Sequence, residues 1–352
     1  MTTYYVGSGG NDGNAGTSWA TRKLTLNGAE DIPVVAGDTV YVGAGVYREL
    51  LTVDVSGSSG NPITYIGDYS GANTDGVGGV VRITGSDNDQ TVTRANGITA
   101  TSRSYRTFRG LLITATTAEA ISLSNCTNVI VEQCALVSVN GLLANGASAA
   151  STTVRKCFIA SSGAGVLFGT TQVANSGHVV ENCIISGRNF AIVPWGVGGV
   201  SVRNCLIHRS ANGIWTVTLP AGKTANVVNN CIVTLCGTGL QASAAGDMTE
   251  NYNSLFLNGT DRNNVSSGAN SVSYPVAHDV RWFFEAVNGG NMVTPFDLAS
   301  YAALVELNSG TGAPSADLRG TTVQGSYREW GPLEYDSTLD IEAGGSVIVI
   351  ED

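Results

Sequence analysis

Charge is scarce in this sequence. Only 13% of its 352 residues are Asp, Glu, Lys or Arg, and histidine and methionine occur three times each. The 18 basic residues are scattered and outnumbered by 28 acidic ones, giving a net charge of −10 and a pI near 4.7. Phosphate backbones are gripped by clustered Lys and Arg, so nucleic acid is not an expected partner. No run of about 18 apolar residues is present to span a bilayer, so no membrane partner is expected either. Cysteine and histidine nowhere stand at the close paired spacing of a metal site, and no cofactor is expected. The opening MTTYYVGSGG has neither a charged start nor an apolar core, so it does not read as a signal peptide. Either a leader has been removed or the protein is made and assembled inside a cell.

What the chain does have is glycine, 45 residues of it, and a repeat. Between residues 129 and 256 the segments VIVEQCAL, TVRKCFI, VVENCII, VSVRNCLI, VVNNCIV and ENYNSLF follow one another. A small residue recurs at Cys134, Cys157, Cys183, Cys205, Cys231 and Ser254, in steps of 23, 26, 22, 26 and 23 residues, with Gly110 at the same place 24 residues earlier. Each copy alternates apolar and polar residues over four to six positions, then carries a small residue and an aliphatic one: Gly141-Leu142, Gly165-Val166, Ala191-Ile192, Gly213-Ile214 and Gly239-Leu240. No helical period intervenes, and the leucine and asparagine spacing of a leucine-rich repeat is missing. Two or three short strands per unit, separated by Gly, Asn and Ser turns, describe a solenoid of parallel strands.

Seven cysteines is an odd number, and five share one repeating inward position. They read as small apolar wall residues stacked up a core rather than as a disulfide framework, with Cys126 and Cys236 outside the ladder. Before the small position stand Gln133, Lys156, Asn182, Asn204, Asn230 and Asn253. Stacked amides at a sharp turn hydrogen-bond along the axis and tolerate left-handed backbone angles, and Lys156 interrupts that ladder.

The opening segments YYV, GNDGNAGT, AGDTVYVGAGVYRE and SGSSGNPITYIG resemble the start of pectate-lyase-like right-handed parallel β-helix proteins, the chondroitinase B and alginate lyase group among them. PFDL, SADLRG and GPLE resemble the closing part of such proteins, so the likeness covers most of the chain. It implies an all-β, single-stranded right-handed parallel β-helix, here of about ten coils and capped at both ends. Residues 1–35 would form an N-terminal strand and capping helix, 36–275 the β-helix, 276–340 a C-terminal cap and 341–352 a terminal strand or docking tail. The first sheet edge is expected to be covered by a helix at 22–30. The second is expected to be covered by the aromatic cluster Arg281, Trp282, Phe283 and Phe284 and by a helix at 298–307 with Asp297 as its N-cap.

The resemblance also implies where chemistry would sit: on the strand after each small-aliphatic pair. Proton abstraction beside a uronic carboxylate needs a base with cations or calcium near it, and inverting hydrolysis needs paired carboxylates. On successive coils that position holds Leu143, Leu167, Val193, Trp215 and Gln241, none of which ionises. The nearest charged candidates are Arg188, His208 and Arg209 on the preceding turn, which could grip a carboxylate or sulfate or could be solvated turn residues. Phe168, Trp195 and Trp215 fall close to one face on successive coils and are candidates for stacking on sugar rings, or for packing under a loop. Asp12 with Asn14, and Asp87 with Asp89, have the oxygen chemistry of calcium ligands, which short Asx-rich turns share. Finally, residues 346–350 form an apolar strand in which Val347, Ile348, Val349 and Ile350 either fold back on the body or dock on a partner chain.

Three functions follow. The first is a non-enzymatic structural or binding β-helix on a bacteriophage virion surface, a decoration, fibre or spike protein assembled in the host cytoplasm. It would bind a cell-surface glycan or polysaccharide and dock on capsid proteins or on further copies of itself through its tail. The second is a polysaccharide lyase or hydrolase. The third is a secreted bacterial carbohydrate-binding or adhesin protein.

Overall fold

A computed structural model describes residues 1–32, 34–169 and 176–274, together with two short strands, Phe284–Ala286 and Phe296–Leu298. Three parallel sheets of ten, nine and ten strands wrap one core. One turn shows the plan: Val129–Glu132 lies in the first sheet, Ala135–Ser138 in the second and Asn140–Asn145 in the third. Nine complete turns run from Thr39–Val42 to Thr260–Asn263, with Thr3–Val6 preceding them and Val272–Tyr274 following. The chain is thus an all-β right-handed parallel β-helix, with nine complete turns among the described residues beside the expected figure of about ten coils. No described helix is long and apolar enough to cross a membrane.

The expected thiol column exists. Register sets Cys134, Cys157, Cys183, Cys205 and Cys231 one above another, each at most 1% exposed. All seven cysteines are buried and carry free thiols. Burial pushes the Cys134, Cys183 and Cys231 thiols well above their ordinary pKa, so they behave as small hydrophobes. Both ends of the predicted ladder shift by one residue. Ile232 pairs with Ser254, so Asn253 takes the cysteine slot; Ala135 pairs with Leu112, so Leu111 takes it and Gly110 sits one place earlier. Spacing alone misplaced them because the connecting turns differ in length while the hydrogen-bonded register does not slip.

The bend between the first and second sheets is made by one left-handed residue per turn: Gly110 (φ 68), Gln133 (φ 53), Lys156 (φ 54), Asn182 (φ 53), Asn204 (φ 54) and Asn230 (φ 55). Asn204 donates its amide to Asn182, and Asn230 donates to the Asn204 oxygen at 2.8 Å, all three buried. In the last turn Tyr252 takes the left-handed angle (φ 56), while Asn253 accepts from the Cys231 N–H at 2.8 Å. Asn204→Ala should therefore cost about 1–3 kcal/mol, because it removes the Asn204 hydrogen bonds to two buried amides and puts Ala in a left-handed site. Urea unfolding of that variant checks this; a change within a few tenths would mean that the ladder contributes nothing.

The small-aliphatic pairs stack as read, with Leu142, Val166, Ile192, Ile214 and Leu240 forming one inward row. The preceding position must be small because a Cβ on Gly141 would lie 2.3 Å from the Gly165 carbonyl oxygen of the next turn. On the outside of the first sheet Arg109, Glu132, Arg155, Glu181 and Arg203 alternate in register. Glu132 takes Arg109 and Arg155 (2.6 Å from Arg155), and Glu181 takes Arg203 at 2.7 Å.

Two ion pairs are not surface pairs. Arg106 occupies an inward position in register with Ile63 and Val129, is fully buried, and meets Glu30 of the helix Leu26–Glu30. At the other end Glu250, in register with the core residue Val228, receives Arg262 at 2.8 Å, Asn253 at 2.7 Å and the Gly268 N–H at 2.7 Å. The N-terminal helix starts four residues later than predicted. Asp12 accepts the Leu24 and Thr25 N–H groups at 2.8 and 2.9 Å, holding residues before the helix extended until Thr25 caps Gly28. Of the predicted C-terminal elements, Asp297 and Leu298 fall in a strand antiparallel to Phe284–Ala286. Residues 281–283 and 299–307 and the tail with Val347, Ile348, Val349 and Ile350 lie outside the described residues.

Candidate functional site

The outer row of the third sheet runs Ser122, Leu143, Leu167, Val193, Trp215 and Gln241, turn by turn. This confirms by register the row that the repeat predicted. A solvent-facing sheet ordinarily carries Thr, Ser or charge there, whereas four consecutive turns of this one carry aliphatic or aromatic side chains. Beside the row lies a groove of about 140 Å³, with Leu167, Val193, Trp195, Trp215, Phe190 and Asn189 on its walls and Asn140, Gly163 and Ala164 at one end.

Each wall has a local cause. The strand Phe190–Pro194 pairs with Asn212–Thr216, which brings the Phe190 ring within 5.3 Å of the Trp215 ring at 36°. Trp195 follows the strand, is 46% exposed, and is anchored by its backbone N–H on the Phe168 carbonyl at 2.6 Å. Trp215 is half-buried, and its Nε1 is enclosed with no acceptor among the described residues. Asn140 Oδ1 accepts the Ala164 N–H at 2.9 Å, while its Nδ2 reaches only to 3.5 Å from Glu119 and so keeps donor capacity. Asn189 is exposed at the rim.

Of the three aromatic candidates, Trp195 and Trp215 meet in this groove and Phe168 does not. Phe168 is fully buried and stacks on His178, with ring centroids 4.3 Å apart and planes at 8°. It sits one residue beyond the outward Leu167, so strand alternation turns it inward. Phe190, Asn140 and Asn189 were missed by sequence reading. Phe190 opens its strand just ahead of the small-aliphatic pair, and only its register with Asn212 could have flagged it.

Arg188 follows the second-sheet strand Ile184–Gly187 and directly precedes the wall residue Asn189, while His208 and Arg209 lie at the end of the strand Leu206–His208 one turn on; none of the three is among the groove's walls. Both arginines are exposed. Burial, helped by the Arg209 charge, lowers the His208 pKa to about 4, so its imidazole is neutral near pH 7. The carboxylates proposed for calcium are engaged by protein. Asp12 holds the Thr25 hydroxyl and N–H, Asn14 donates to the Arg22 carbonyl, Asp87 pairs with Arg94 at 2.7 Å, and Asp89 pairs with Arg48 at 2.5 Å. Among the described residues no three His, Cys, Asp or Glu side chains converge as a metal site requires.

Chemically, the groove offers two indole faces, a phenyl ring, aliphatic walls and two amides. Such a surface meets the apolar C–H face of a sugar ring while its amides meet hydroxyls. It carries no acid or base.

Residues 137–274 match the family described as right handed beta helix region. No curated protein matches the sequence. Among solved structures, the chain is similar to pectate lyase Pel9A, at 16% identity and a TM-score of 0.64, over 96% of this chain and 97% of that one. It is also similar to a rhamnogalacturonan lyase, at 15% identity and a TM-score of 0.58, over 86% and 95%. At these identities the likeness is one of fold.

Proposed function

From the premise that this chain is a pectate-lyase-like right-handed parallel β-helix, we propose that it binds a glycan in the aromatic groove of its third sheet without cleaving it. One observation carries the reading: Trp195, Trp215 and Phe190 converge on a groove whose walls hold no ionisable side chain. The rigid solenoid holds these rings in place before binding, which limits the ordering cost of association.

The expected result is that Trp215→Ala weakens glycan binding by about tenfold or more, about 1.4 kcal/mol, while Trp215→Phe retains part of it. Trp195→Ala, at an exposed position, should weaken binding without loss of stability, and circular dichroism checks the fold of each variant. Unchanged binding in both alanine variants would remove the groove from the function.

Cleavage of an acidic polysaccharide is the second reading, favoured by the likeness in fold to two lyases. It would employ Arg188, His208 and Arg209. Absorbance from unsaturated sugar ends, formed by the native chain and lost in His208→Ala, would establish it in place of simple binding. The virion reading rests in part on the tail, whose residues lie outside the described ones. Retention of particle incorporation after deletion of 346–352 would end that docking idea.

A further inference from the structure

We infer that the groove takes an uncharged sugar chain, in contrast to a polyuronate; this deepens the glycan-binding reading above and rests on it. The argument is one of charge. A carboxylate moved from water into an apolar groove loses solvation worth several kcal/mol unless a cation or several N–H donors replace it. Proteins that select carboxylates supply Arg or Lys for that purpose. No wall residue of this groove is cationic.

The cations of the neighbouring sheet are committed elsewhere. Arg109, Arg155 and Arg203 lie along Glu132 and Glu181 on the outside of the first sheet. Arg188 and Arg209 stand outside the lining, and the carboxyl group that meets a lining residue, Glu119 at 3.5 Å from the Asn140 amide, has the wrong sign for a uronate. The whole chain carries a net charge of −10, which repels a polyanion at long range. What the groove does supply suits a neutral ring: indole and phenyl faces for its C–H surface, and the Asn140 and Asn189 amide N–H groups for hydroxyl or acetamido oxygens. The apolar row from Leu143 to Trp215 covers three strand spacings, about 14 Å, so a chain laid along the solenoid axis would contact several turns.

The test is calorimetric titration of the full chain with two sets of oligosaccharides. One set is neutral (gluco-, manno-, xylo- and N-acetylated oligomers); the other is uronate-bearing (galacturonate and alginate oligomers). Each is measured at about 0.05 and 0.5 M salt. The expected outcome is a preference of about tenfold or more for at least one neutral series, with affinity nearly independent of salt and unchanged in the double variant R188A/R209A. A preference for uronates that falls with salt and disappears in R188A/R209A would overturn the inference. If that uronate binding were still lost in Trp215→Ala, the groove would remain the glycan site and only its charge selectivity would be wrong. Binding of neither class by the native chain would overturn both the inference and the reading beneath it.

Discussion

Glu30→Ala should lower the stability of this protein by about 3–5 kcal/mol, the usual cost of removing one partner from a buried ion pair. Arg106 is inaccessible to solvent and occupies a position whose register neighbours, Ile63 and Val129, are apolar. Its guanidinium is held by Glu30 and by the Val55 carbonyl at 2.9 Å, while Glu30 also accepts the Asp54 N–H at 3.1 Å. Without the carboxylate a full charge is left in the core, and the helix Leu26–Glu30 loses its tie to the turns beneath it. The companion variant separates charge from shape. Glu30→Leu combined with Arg106→Met removes both charges and should recover most of the loss, since a buried pair is often no more stabilising than apolar side chains of similar volume. Urea denaturation of the two variants against the native chain is the measurement. A loss below about 1 kcal/mol for Glu30→Ala would show that water reaches the pair.

Acid should destabilise the protein well above the range in which carboxylates titrate. His178 is fully buried, stacked on Phe168, and accepts the Thr152 N–H at Nδ1 over 3.0 Å. That bond requires an unprotonated Nδ1, and burial lowers the pKa from 6.5 to about 3. The folded-state pKa lies below the unfolded one, so the unfolded chain takes up the proton first. The stability contribution is complete above pH 6.5 and is lost as pH falls from there toward 3, at about 1.4 kcal/mol per pH unit. His208, lowered to about 4 by burial and Arg209, acts in the same direction. Asp12, Asp87 and Asp89 are held below their ordinary 3.8 and leave the window from 6.5 to about 4.5 to the histidines. His178→Asn keeps an acceptor for Thr152 and should flatten the slope of unfolding free energy against pH in that window. An equal slope in native chain and variant would mean that His178 is already charged in the fold.

These two effects lie where sequence reading was weakest, and the reason is physical. The column and the amide ladder were legible because each turn repeats the same local chemistry: alternation sets which side faces in, and a left-handed residue sets the bend. Glu30 and Arg106 are 76 residues apart, and nothing local distinguishes Arg106 from the surface arginines Arg109 and Arg155. Phe168 shows the converse. Counting outward from Leu167 would have turned it inward, but grouping it with the tryptophans by residue type did not. Trp195 and Trp215 were found by type and position, whereas Asn140 and Asn189 became wall residues only through the lengths of the turns around them.

The sequence alone determined the coil. Parallel strands, the buried cysteine stack and the charge-poor outer row all follow from period, side-chain size and hydropathy, which act within one turn. The tertiary structure alone decided which turn meets which: the one-residue shifts at Leu111 and Asn253, the ion pairs inside both ends, and the groove between Trp195 and Trp215. Those depend on hydrogen-bonded register between strands some two dozen residues apart, and turns of unequal length leave that register open until the backbones pair.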